Sequence, residues 1–345
     1  TQETSATQET PSVMSETSAM PENERILEDV EVAKNKKDTE DSKKKGKIAE
    51  NLSPSPSSSS VTPRLKVETE KTAPKVEVTT TLSPEVQALQ KMMREMTATP
   101  WETEKVDDME LPIRTARYVV VRTLLALAQE EPLRNYDASG KQTGDVKGEK
   151  IVRYAAWAAL EVGGTGTADS PEGKAARGAF LLACHLFLEP SGAVGKIPVY
   201  GRRFRALETP EIKKLRRKIV GNDVSVFGRQ DHSQHFWLSA ALSVQIVPEI
   251  VENIGVEKEL NDDREGGSGF DVTDLNADIA GVWFGNRIMR GLISLEDVGR
   301  KFEYTRAVPS QIRIPKRLKH PKNPEEIQEL VQKLREAVHV LQKAY

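Results

Sequence analysis

The chain has 345 residues, of which 37% are hydrophobic and only 5% aromatic: enough apolar material for about two domains, too little to pack every segment. One cysteine, Cys184, excludes an intrachain disulfide framework and any cysteine-rich zinc module. Fifty lysines and arginines against 52 acidic residues give a formal charge of -2, which argues against a nucleic-acid binder built from the whole chain. No run approaches the length of apolar sequence that a membrane-spanning helix needs.

Residues 1–80 contain no Phe, Trp, Tyr or Cys and are dense in Ser, Thr, Pro and mixed charges. Such a segment cannot bury enough apolar surface to offset the entropy of ordering it, so a disordered polar arm is expected. Ser53–Ser60 reads as linker, and the lysines of Lys34–Lys47 as a solvated tether or a weak contact for an anionic surface. No basic end followed by an apolar run marks a signal peptide at the start. Ser83-Pro84 predicts a capped short helix with Val86, Leu89, Met92, Met93 and Met96 as its stripe, and with its linker it fills 81–110.

From 111 to 300 the pattern is that of a helical core domain. Core helices are expected over 116–130, 149–162 (broken by Gly163-Gly164) and, after Ser170-Pro171, over 175–188. The β-branched run Val119-Val120-Val121 leaves a short strand open there. The segment 195–204 reads as an irregular connection, and Thr209-Pro210 starts a basic helix whose cations are expected to face outward. Residues 301–320, with Pro309 and Pro315, read as a basic extended surface segment. Asn323-Pro324-Glu325-Glu326 starts a final helix over 321–345, striped by Ile327, Leu330, Leu334, Val338 and Leu341. Its stripe suits either the body or a partner helix. The fold class is therefore all-α: a compact bundle-like domain with a long N-terminal arm and a C-terminal extension.

The chemistry-bearing residues concentrate between Asp231 and Gly285. A helix opens on Asp231-His232-Ser233-Gln234-His235, and Pro248 should kink or end it. Asp231 precedes His235 by four residues and is placed to accept the ring's second proton or to share its ligands. A polar stretch over 255–263 carries Glu259 and suits a short helix. After a glycine-rich turn, a helix begins near Asp271, with Asp274 and Asp278 at i, i+4 on one side; Asp271 and Thr273 are expected as caps.

Direct antiparallel pairing would put the starts of the first and last of these helices at opposite ends, whereas an intervening helix would bring them together. In the second case, Asp231, His235, Glu259, Asp274 and Asp278 form a candidate acid–base cluster. His232 or His235 as nitrogen ligands and Glu259, Asp274 or Asp278 as oxygen ligands become candidates for a divalent metal, with His235, Glu259 and Asp278 placed first and His232 ranked below them. The competing reading is a buried polar network needing no ligand. No His-Glu-x-x-His motif is present, and neither Gly163–Thr167 nor Gly266–Gly269 has the context of a phosphate-binding loop. Cys184 and His185 are neighbours on a helix, a poor geometry for a thiolate–imidazole pair.

The ordered series Asp231, His235-Phe236, Lys258-Glu259, Asp262, Gly267-Ser268-Gly269-Phe270, Asp274-Leu275, Ala277-Asp278 and Gly281 resembles a bacterial helical family without an assigned activity. More distantly it resembles small envelope-associated lipoproteins. The resemblance covers about 55 residues and implies that Asp231, His235, Glu259, Asp274 and Asp278 form one polar core, in an envelope or secreted setting. For function the sequence offers first a non-enzymatic helical binding or structural module, contacting a protein or an anionic surface through its basic segments. The alternative is a hydrolase-like or metal-binding protein using the Asp/His/Glu/Asp cluster. Nucleic-acid binding is disfavoured, since Tyr304 is the lone aromatic in 303–320.

Overall fold

In the computed structural model, residues 82–98, 112–130, 148–164, 169–189, 198–221, 229–264 and 269–343 are described, with a few short pieces between them. The arm over 1–80 and most of the linker after the first helix lie outside these residues. The described part is an all-α bundle whose buried side chains merge into one core running from Leu89 to Val338.

Helix α1 (Pro84–Thr97) starts as expected, with the Ser83 hydroxyl accepting from the Val86 amide and Val86 and Leu89 buried. Helices α2 (Ile113–Gln129), α3 (Gly148–Ala159) and α4 (Pro171–Leu188) pack on one another and build half of the core. Val119, Val120 and Val121 are helical and buried, so tertiary packing overrides their strand preference. The only strands among the described residues are the two-residue pair β1 (Asn135–Tyr136) and β2 (Gln142–Thr143).

The expected irregular connection is corrected: Pro198–Leu207 is helix α5. Pro198 suits the first turn, and Phe204 and Leu207, one turn apart, bury one face. The Phe204 ring meets that of His185 edge-on, 4.6 Å between centroids. In α6 (Pro210–Ile219) Lys213, Lys214, Arg217 and Lys218 do face outward. Arg216 does not: it is buried, and its Nε donates to Glu208 at 2.8 Å.

Helices α7 (Gln230–Leu242), α8 (Pro248–Asp262) and α9 (Val272–Met289) follow as a triplet. Pro248 is the first residue of α8, so the polar stretch around Glu259 is the end of a 15-residue helix rather than a short one. Short α10 (Leu295–Lys301) and α11 (Tyr304–Ala307) lead to a 3₁₀ turn at Lys316–Lys319. The extended surface path expected for 301–320 is therefore corrected at its start. Phe302 and Tyr304 sit in the core, where Tyr304 accepts a 2.8 Å hydrogen bond from Trp237 Nε1; burying two aromatic rings outweighs the surrounding basic residues. Helix α12 (Pro324–Gln342) is capped by Asn323 and lies on the body. Gln342 donates to the carbonyls of Ala280 and Ala307, which assigns its buried face to this chain.

Among the described residues the pair α7–α9 makes the most extensive helix–helix contact. Residues 235, 239 and 243 meet 278 and 282 in rising order, so the two helices run parallel with their starts together. Glycine makes this approach possible: a Cβ on Gly281 would stand 2.1 Å from the Phe236 carbonyl oxygen. The chain returns through α8. Its end is closed by Gly269, at φ +89°, whose amide donates to the Asp262 carbonyl at 2.8 Å.

Candidate metal centre

The return of α8 places three helix ends at one pole: the starts of α7 and α9 and the finish of α8. His235 from α7, Glu259 from α8 and Asp274 from α9 each present one nitrogen or oxygen there, and the three atoms all lie within 4.8 Å of one another. All three residues are buried.

Each has a fixed orientation. His235 Nδ1 lies 2.9 Å from Asp278 Oδ2; a neutral ring with its proton on Nδ1 pairs with that carboxylate, and this is the tautomer that offers the Nε2 lone pair to a metal. Nε2 is 3.4 Å from Asp274 Oδ2. Asp278, fully buried, also accepts from Ser239 Oγ at 2.6 Å. Gly255 of α8 lets the third helix close over it, since a Cβ there would reach Asp278 at 3.2 Å. Glu259 accepts from the Asp271 amide at 2.9 Å and from Lys258 Nζ at 2.9 Å, and Lys258 also donates to Asp262 at 2.6 Å.

Arg229 covers the outer side. Its guanidinium donates to Asp231, Asp271, Asp274 and the Thr273 hydroxyl over 2.7–3.2 Å. His232 Nε2 is 3.1 Å from Thr273 Oγ1 and 3.6 Å from Asp274 Oδ1.

Burial lifts the Asp274 carboxyl to about 6, with Asp271 and Glu259 pushing the same way against His235. Burial likewise raises Glu259, although Lys258 works against it. Asp231 goes the other way: burial would raise it, yet the hydrogen bonds and charge of Arg229 hold it at about 2. His232 is lowered by burial and by Arg229.

All five residues of the sequence-derived cluster thus converge, but not in one role. The Nδ1 proton of His235 goes to Asp278 rather than to Asp231, which turns to Arg229. Of the two aspartates offered as ligands, Asp274 joins the converging group, while Asp278, placed ahead of it from the sequence, stands behind the imidazole. His232 falls outside the group of converging ligand atoms. Asp271 caps α9 by accepting from the Thr273 amide at 2.7 Å, as expected.

Two participants were missed. Ser239 is one turn beyond His235 on the same face, a spacing that the sequence does show. Arg229 precedes the helix, and only the fold shows its reach to α9.

Six carboxylates joined in this network (Asp231, Glu259, Asp262, Asp271, Asp274, Asp278) face two fixed cations, Arg229 and Lys258, a formal -4 with neutral imidazoles. One imidazole nitrogen and two carboxylates, held by three helices and backed by a carboxylate–histidine pair, fit a divalent ion such as zinc or manganese. The Cys184–His185 pair offers no second centre: Cys184 is buried with its thiol pushed well up, and burial takes His185 down to about 3. No family model, curated protein or solved structure matches the chain. No helix among the described residues is long and apolar enough to cross a membrane.

Proposed function

We propose that this protein binds a divalent transition metal through His235, Glu259 and Asp274 and uses it in hydrolase-like chemistry. The observation that carries the reading is the convergence of one imidazole nitrogen and two carboxylate oxygens from three helices inside an acidic surplus. Three protein ligands leave further coordination positions to water or substrate, the arrangement of a catalytic rather than a closed structural site. Bound there, the ion would polarise a substrate carbonyl or phosphoryl group, or acidify a water. Asp278 holds the His235 ring and its tautomer, Arg229 fixes the Asp274 side and Lys258 fixes Glu259.

The test is calorimetric titration of chelator-stripped protein with Zn²⁺, Mn²⁺ and Mg²⁺, with metal analysis after gel filtration. One equivalent of zinc or manganese should be retained, and His235→Ala and Glu259→Gln should each lose it. Wild-type protein that binds none of the three ions under these conditions overturns the reading. Assays of the loaded protein on ester and phosphoester substrates then test the hydrolytic half.

The exposed cationic face of α6, with Lys213, Lys214 and Arg217, supports a second reading: docking to a protein or an anionic surface. The likeness to envelope lipoproteins favours an envelope or secreted setting. Cell fractionation checks the location, and loss of co-sedimentation with anionic vesicles in the triple Glu variant of α6 checks the docking.

A further inference from the structure

Beside the metal centre lies a cavity of about 590 Å³, within the size range of small-molecule sites. Its floor is the first turns of α9 together with Leu334 of α12, and its wall is the strap 309–314. The cavity shares Asp271 and Thr273 with the metal centre, but none of His235, Glu259 and Asp274 lines it. It is a separate compartment.

Three features of the lining define what fits. Phe270, Val272, Ile312, Ile314 and Leu334 give it an apolar body. Arg313 and Lys319 stand at its edge as exposed cations, neither with an ion-pair or hydrogen-bond partner among the described residues. The one carboxylate in the lining, Asp271, is already engaged by Arg229 and by the Thr273 amide. Asn276, 7% exposed, lines the cavity as well. Its Nδ2 donates to the Pro309 carbonyl at 2.9 Å, which fixes the amide's orientation, and its Oδ1 is a buried acceptor with no hydrogen-bond partner. That oxygen has no surface open to a water-sized group, so it belongs to the wall and asks nothing of a ligand.

We propose that this cavity binds a carboxylate with a bulky apolar body, such as an aromatic or acylated amino acid. Such a ligand brings a carboxylate for Arg313 and Lys319 and an apolar body for the hydrophobic wall. A purely apolar ligand would leave both cations unanswered, and inorganic phosphate would leave the apolar wall unfilled.

Dansyl-phenylalanine is a probe of this chemistry: it carries a carboxylate and an apolar body, and its fluorescence reports burial. Titrated into the full chain with EDTA present, it should show saturable binding with a blue shift, so the result stands apart from whether the metal centre is loaded. The double variant Arg313→Glu/Lys319→Glu, at two exposed positions, should weaken binding at least about tenfold, and dansyl amide without the carboxylate should bind about as weakly. No saturable binding overturns the proposal. So does equal binding of dansyl-phenylalanine and dansyl amide to wild-type and double-variant protein, which would show only an apolar cleft.

Discussion

Two buried polar regions of this bundle make opposite use of charge. In the first, Glu252 of α8 is 1% exposed and fully answered: Oε1 accepts from Trp283 Nε1 at 2.6 Å and Oε2 from Arg335 Nε at 2.8 Å, tying α8 to α9 and α12. One carboxylate meets one guanidinium and one indole. The second region, at the other end of α8, gathers six carboxylates around Arg229 and Lys258. A polar network serving only to join helices would resemble the first. The second carries a cost that the bundle does not relieve by itself: burial raises Asp274, with Asp271 and Glu259 adding to it, and burial alone raises Glu259. A cation is what would relieve it.

Removing a partner should therefore have opposite consequences in the two regions. The largest stability effect is expected from Arg335→Met, which strands the buried Glu252 charge; because Arg335 is itself a third exposed, the loss should be about 3 kcal/mol, the low end for a broken buried pair. Chemical denaturation measures it. Asp274→Asn should do the reverse in chelator-stripped protein. The Asp274 carboxyl titrates near 6 when folded and near its ordinary value of 3.8 when unfolded. The unfolded state thus sheds its proton first as pH rises, and Asp274 erodes stability between about pH 4 and 6. Above pH 6 the cost is fully present, on the order of 2–3 kcal/mol. Asp274→Asn should raise the midpoint of the metal-free protein at pH 7.5, leave it little changed below pH 4, and abolish metal retention. A variant that is destabilised at pH 7.5 would place Asp274 in the first kind of network instead. Metal binding to the wild type should weaken as pH falls through about 6, because the ion then competes with the Asp274 proton.

Asp278 sharpens the contrast at the next level. Asp278→Asn keeps the shape but no longer compels a proton onto His235 Nδ1, and metal affinity should fall about 10–100-fold, as for other carboxylates behind a ligating histidine. The loss of His235→Ala should exceed it.

Much of this was legible in the sequence because it depends on local chemistry. The caps at Ser83, Ser170, Thr209, Asp271 and Asn323 follow from a side-chain oxygen reaching the amides of a first turn. The cluster residues stood out as charged groups on otherwise apolar helices. What failed was whatever tertiary packing decides. The segment 195–204 reads as an irregular connection and 255–263 as a short helix of its own, whereas the first runs into α5 and the second ends α8, and Gly255 is small because α8 approaches Asp278 there. Asp278 and Asp274 share an i, i+4 spacing, so sequence places both near the imidazole without telling which meets Nδ1 and which faces Nε2; that choice comes from the parallel alignment of α7 and α9. Arg229 lies far in sequence from Asp271 and Asp274, and no periodicity connects them.

The smallest expected effect falls on Ser239, and it separates orientation from charge. Its hydroxyl donates to Asp278 Oδ1 at 2.6 Å, both residues being buried, and leaves Oδ2 for His235. Ser239→Ala removes that donor without changing any charge or ligand. Stability should drop by about 1.5 kcal/mol, the low end for a hydrogen bond to a charged group. With one donor fewer, Asp278 is less firmly placed but keeps its contact with His235, so the metal should bind only a few-fold more weakly. Calorimetry of Ser239→Ala and Asp278→Asn side by side gives the ordering. If Ser239→Ala lost as much affinity as Asp278→Asn, the role of Asp278 would be to hold α7 against α9 rather than to set the imidazole's proton.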